Sequence, residues 1–126
     1  MSRQLVASGS AMEEEFAYSR VVAQGGWIFV SGTTGFDYSS MTVAEGVAEQ
    51  AAQCFRNVVA ALSTVQATID DVVRVTYYLP DRSDFAACAP IIRKYFGRCR
   101  PVATMVEAGL IDPRLRIEIE VTALRR

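Results

Sequence analysis

The chain has 126 residues, 51% of them hydrophobic and 21% charged, with a formal net charge of −1. That suits one packed domain over residues 1–126 and is too apolar for a disordered chain. No basic excess exists to neutralise phosphates, so nucleic acid is not an expected partner, and the absence of histidine excludes Ser-His-Asp and Cys-His catalysis and imidazole-ligated metals.

Cys54, Cys88 and Cys99 are odd in number and widely spaced. They read as reduced, mostly buried thiols rather than a disulfide framework or zinc site. Met1-Ser2-Arg3-Gln4-Leu5 holds no apolar run of signal-peptide length. No stretch approaches the ~20 apolar residues that span a bilayer, so a cytoplasmic location without membrane contact is expected.

Residues 3–9 predict a short edge strand. Glu13-Glu14-Glu15 reads as a solvated face, because adjacent carboxylates point apart. Arg20–Ala23 and Trp27–Gly32 flank Gly25-Gly26 as a hairpin. The second run is apolar without alternation, which predicts a central strand covered on both faces or buried at an interface. Residues 33–42 are rich in turn formers and read as a loop.

Val43, Val47, Ala51, Cys54, Phe55, Val58 and Leu62 recur at helical spacing, with Thr42 as N-cap and Glu45 completing a capping box. Val72–Leu79 is β-branched and aromatic, a strand that Pro80 ends. A second helix is predicted from Phe85 to Phe96, capped by Ser83 or Asp84 and stopped by Gly97. Pro90 inside it predicts a kink or a late start. Pro101–Glu107 and Arg116–Leu124 are the last strands, the latter alternating with period two.

Strands and helices in this order predict an α+β two-layer sandwich, a mixed sheet with two helices on one face. Two helices cannot cover both faces of a five- or six-stranded sheet. The uncovered face must be polar or must meet another subunit, and the apolar Trp27–Val30 run favours a homo-oligomer.

The chain resembles the Rid (YjgF) family over nearly its whole length. The resemblance is carried by Trp27-Ile28-Phe29-Val30-Ser31-Gly32, by Ala48-Glu49-Gln50-Ala51 continuing to Asn57-Val58, and by Ile69–Leu79. Asp84-Phe85, Arg100–Glu107 and Ile117–Val121 add to it. It implies a chorismate-mutase-like sandwich assembled as a homotrimer, with small-molecule ligands held in clefts between subunits. It also implies hydrolysis of reactive imines and enamines to 2-keto acids and ammonia without metal or cofactor. An older endoribonuclease reading of the family is disfavoured here by the lack of histidine and of a basic stripe.

The resemblance assigns Glu118 the task of positioning or activating water, and places Tyr18, Ser31, Gly32, Ala103, Thr104 and Met105 around the substrate. At Ala103 the deaminating members carry an arginine that binds the substrate carboxylate, a bidentate contact no methyl group can make. Met105 stands where the family commonly has cysteine, and its backbone N–H remains a donor. Arg98 and Arg100 are nearby, but strand alternation points Arg100 to the face opposite Ala103. Along the last strand, Ile117, Ile119 and Val121 are expected to face the helices, and Glu118 and Glu120 the other side. Three functional readings remain: a Rid-type hydrolase with altered specificity, a non-catalytic binding or regulatory trimer, and a structural trimer with a vestigial cleft.

Overall fold

The computed structural model describes residues 2–126. The strands are β1 (Gln4–Val6), β2 (Val21–Gln24), β3 (Trp27–Thr34), β4 (Phe36–Asp37), β5 (Thr42–Val43), β6 (Val72–Leu79), β7 (Val102–Glu107) and β8 (Glu118–Leu124). The α-helices are α1 (Ala11–Glu15), α2 (Val47–Ser63) and α3 (Ala89–Phe96). Six strands form a mixed sheet in the order β1-β2-β3-β8-β6-β7, and β4 and β5 form a small hairpin beside it. Only β6 and β7 pair in parallel within the large sheet.

Helices α2 and α3 cover one face. From α2, Val47, Ala51, Cys54, Phe55, Val58 and Leu62 are buried, against Ile28, Val30, Val75, Tyr77, Ile117, Ile119 and Val121 of the sheet side. Phe55 ties the two helices together, stacking on Tyr95 at 4.6 Å and meeting Phe96 edge-on at 5.1 Å. The expected inward set Ile117, Ile119, Val121 is in place, which turns Glu118 and Glu120 to the open face.

That open face is apolar where β3 crosses it. Trp27 and Phe29 remain 45% and 51% exposed while Ile28 and Val30 are buried. The apolar β3 run is therefore an alternating strand with two apolar faces, one of them uncovered within a single chain. Val73, Arg74, Val102 and Thr122 join Trp27 and Phe29 around a cavity of about 760 Å³ there.

Several local expectations are corrected. Residues 33–42 are not a plain loop: β3 runs on to Thr34, and β4 and β5 follow as a hairpin. Helix α2 starts at Val47 with Gly46 as its N-cap, and no Thr42–Glu45 capping box forms, because Thr42 and Val43 pair with Asp37 and Phe36. The second helix begins late. Arg82–Cys88 is 3₁₀, capped by Asp81 rather than by Ser83 or Asp84, and the α-helical turns start at Ala89 with Pro90 in the first turn, where its missing N–H costs no helical bond. The acidic triplet is not uniformly solvated. Glu13 is 4% exposed, because the short helix α1 turns it inward. The three thiols are unpaired, two of them buried. Among the described residues no helix is long and apolar enough to cross a membrane.

Candidate functional site

The site starts from an irregularity in β3. Val30 pairs with Val121 and Thr33 with Ile119, so Ser31 and Gly32 together oppose the single residue Glu120. Two residues against one is a β-bulge, which bends the strand and turns its carbonyls away from a regular ladder. Side chains meet each of these carbonyls. Thr33 Oγ1 donates to the Ser31 carbonyl at 2.9 Å, Arg20 Nη1 to that of Gly32 at 3.1 Å, and Cys54 Sγ to that of Thr33 at 3.5 Å. Asn57 Nδ2 continues the pattern, donating to Thr34 and Phe36 at 2.9 Å. Satisfied carbonyls make the bulge a fixed feature rather than a defect.

Glycine at position 32 leaves room for what lies beside it. A Cβ at this position would overlap Glu118 Oε2. The absence of a side chain opens a notch, and the Glu118 carboxylate occupies it. Among the described residues Glu118 makes no hydrogen bond or ion pair. Burial raises its pKa above the usual carboxylate range; the Arg20 guanidinium opposes this, and the neighbouring Glu120 adds to it. Glu120 itself accepts a hydrogen bond from Tyr78 Oη at 3.0 Å. Of the two open-face acids, Glu118 is the one left without a partner, and its pKa is raised. That is the profile of a candidate acid/base.

Ser31 Oγ donates to the Ser19 carbonyl at 2.6 Å, which ties the bulge to the segment carrying Tyr18. With its proton committed there, the Ser31 hydroxyl is left as an acceptor only. Tyr18 is 38% exposed. Tyr18, Ser31, Gly32 and Glu118 thus belong to one region at the β3 bulge.

Ala103, Thr104 and Met105 lie elsewhere. They are on β7, the last strand of the sheet, separated from β3 by β8 and β6. Three strand spacings put Ser31 and Gly32 roughly 14 Å from β7 across the sheet, and two put Glu118 on β8 roughly 10 Å from it. Ala103 and Met105 pair with Val75 and Tyr77 and share their helix-side face, whereas Thr104 pairs with Thr76 and shares the open face with Glu120. A single chain does not bring the seven expected residues into one pocket.

Sequence reasoning missed the support of the bulge. Glu13, 4% exposed, accepts from the backbone N–H of Ser8 at 2.9 Å and from the Ser8 hydroxyl, and pairs with Arg20 at 3.5 Å. Glu13 and Arg20 come from an acidic triplet and a strand start, and no periodicity connects them.

The family model described as Endoribonuclease L-PSP matches residues 8–125. The chain belongs to the YjgF/RutC/Rid family. A solved member of the YjgF/YER057c/UK114 family from Mycobacterium tuberculosis is 38% identical, with a TM-score of 0.89 over 98% of this chain and 99% of that one. A RutC family protein of Pyrococcus abyssi is 30% identical over 99% of both chains. A Rattus norvegicus protein named 2-iminobutanoate/2-iminopropanoate deaminase is 32% identical, covering 98% of this chain and 90% of that protein. The fold expected of a Rid protein is the fold observed, with helices on one face of a mixed sheet.

Proposed function

We propose that this Rid-family chain hydrolyses an imine, enamine or related reactive small molecule in clefts between the subunits of a homotrimer. Its specificity is altered by Ala103 standing where the deaminating members carry arginine. The observation that carries the reading is the Glu118 carboxylate, half-buried, unpaired and fitted to the space over Gly32. The split of the expected residues between β3 and the far strand β7 supports a site built by two chains, and the uncovered apolar face around Trp27 and Phe29 supports an assembly that covers it. The deaminase name of the rat relative supports the reaction class.

The chemistry needs one carboxyl acting twice. Glu118 takes a proton from water as the water oxygen bonds to the C=N carbon. It returns that proton to the nitrogen, which completes the carbinolamine. It then takes the carbinolamine hydroxyl proton and passes it to the amine nitrogen as the C–N bond breaks, so the carbonyl forms, ammonia leaves, and imine and water give ketone and ammonia. A carboxyl with a raised pKa is suited to both halves of this exchange. One observation favours a non-catalytic binding role instead: the Ser31 proton is committed to the Ser19 carbonyl and is not available to a leaving nitrogen.

The test generates imines from a panel of amino acids with an amino-acid oxidase, with semicarbazide competing. Wild type is run beside Ala103→Arg and Glu118→Gln, and each is sized. Wild type should turn over at least one imine and run at three times 13.8 kDa. Ala103→Arg should gain activity on 2-imino acids. Glu118→Gln should lose 10²–10⁴-fold in kcat while keeping the assembly. A monomer, or Glu118→Gln with wild-type activity, overturns the reading; binding without turnover in every variant moves it to the non-catalytic role.

A further inference from the structure

The β7 edge holds a second cavity, of about 310 Å³, with Ala103 in its wall. Val75, Tyr77, Ile92 and Phe96 give it an apolar floor, and Arg93 and Arg100 line it as well. No acidic residue does. Alternation along β7 predicts Arg100 on the opposite face from Ala103, and the structure corrects this. Strand β7 begins only at Val102, and Arg100 has φ +49°. A left-handed residue reverses the chain locally, so alternation does not extend back through it. The conformation is disfavoured for an arginine, and the residue before a proline is also biased toward extended backbone. It is nevertheless held, by the Arg100 N–H donating to the Phe96 carbonyl at 2.9 Å. Strain kept in place at a cavity wall is a recurrent mark of a functional position.

The charges there are uncommitted. Among the described residues neither Arg93 nor Arg100 makes a side-chain hydrogen bond or ion pair. Arg98, their neighbour, differs: it pairs with Asp70 at 2.7 Å.

We propose that Arg100, assisted by Arg93, is a relocated anion subsite that binds a carboxylate of the substrate from the start of β7. The substrate it fits is a small dicarboxylate imine, whose far acid group lies several ångströms from the reacting carbon. Two arginines in an otherwise apolar lining suit a carboxylate, and about 310 Å³ is enough for a molecule of that size. The substrate class rests on the imine-hydrolase reading; the anion subsite rests on the cavity alone.

The experiment titrates glutarate into wild type, Arg100→Gln, Arg93→Gln, the double variant and Arg98→Gln, reading the amide shifts of Gly97 and Ala103 by NMR. Both arginines are exposed, so these variants keep the fold. Wild type should bind saturably. Arg100→Gln should weaken binding roughly 10- to 100-fold, Arg93→Gln less, and Arg98→Gln not at all. Arg100→Lys should recover part of the loss. Glutarate that leaves these amides unmoved in wild type, or that binds the double variant as tightly, overturns the subsite.

A kinetic arm separates the two readings. The imine of glutamate should show a raised KM in Arg100→Gln with kcat nearly kept, while the imine of alanine is unaffected. Glutarate binding as expected without hydrolysis of either imine keeps the subsite and removes the hydrolase. Hydrolysis of both imines with no response to Arg100→Gln removes the subsite and keeps the hydrolase.

Discussion

Glu13 and Glu118 are acids in contrasting surroundings, and Arg20 exerts its charge on both. Glu13 is the more deeply buried of the two, 4% exposed, yet its pKa is lowered. Desolvation pushes it up, but the Ser8 hydroxyl, the Ser8 N–H and Arg20 together outweigh that. Glu118 keeps more contact with solvent, yet its pKa is raised, because burial dominates and it has only the more distant influence of Arg20 against it. Partners weighed against burial decide which carboxyl is a fixed charge and which can exchange a proton. One acid holds the arginine, the arginine holds the Gly32 carbonyl at 3.1 Å, and the bulge presents the second acid.

The largest effect should come from breaking the paired side. Glu13→Gln leaves Arg20, 14% exposed, without its counter-charge and should cost about 2–4 kcal/mol of stability in chemical denaturation. Since the folded pKa of Glu13 lies below the ordinary glutamate value of 4.5, the stabilisation is fully present above pH 4.5. It is lost as pH falls through the folded value, so the gap between wild type and variant should close in acid. A gap that persists unchanged at low pH would show that the Ser8 contacts, not the charge, hold this corner.

Glu118→Gln should carry the opposite sign. The folded pKa lies above the ordinary glutamate value of 4.5, so the charged form is disfavoured in the fold at neutral pH. The variant should be as stable as wild type or more so at pH 7. That advantage should fade as pH falls through the folded pKa and be gone below 4.5, where both folded and unfolded wild type are protonated. A destabilised Glu118→Gln at neutral pH would mean that the carboxylate has a structural partner.

Much of this architecture was legible in the chain. The period-two alternation of Ile117–Thr122 and the apolar stripe Val47–Leu62 decide which face each element buries, and the structure follows both. The failures have a common cause, in contacts that are distant in sequence. Thr42 looks like a helix cap by local chemistry, but pairing with Asp37 draws it into a strand. Glu13 looks like one of three solvated acids, yet Ser8 and Arg20 enclose it. Arg100 follows alternation only if a strand already exists there, and its left-handed backbone shows that none does. The expected site residues do not come together as one arrangement within a chain, since Ser31 and Gly32 lie on β3, Glu118 on β8, and Ala103, Thr104 and Met105 on β7.

The smallest and most discriminating change is Gly32→Ala. The backbone does not require glycine there, because Gly32 is not among the residues with positive φ. The obstacle is instead the end of a flexible side chain, Glu118 Oε2. Glu118 can swing away, so stability should change by less than about 1 kcal/mol. The carboxylate would then leave its notch for more solvated surroundings. Its pKa, followed by carbon-13 NMR of the carboxyl, should fall toward the ordinary 4.5, and any hydrolytic activity should fall with it. If the pKa falls and activity holds, proton exchange by Glu118 does not limit the reaction. If stability drops by several kcal/mol instead, the bulge is set by packing around Gly32, and Arg20 and Glu13 merely follow it.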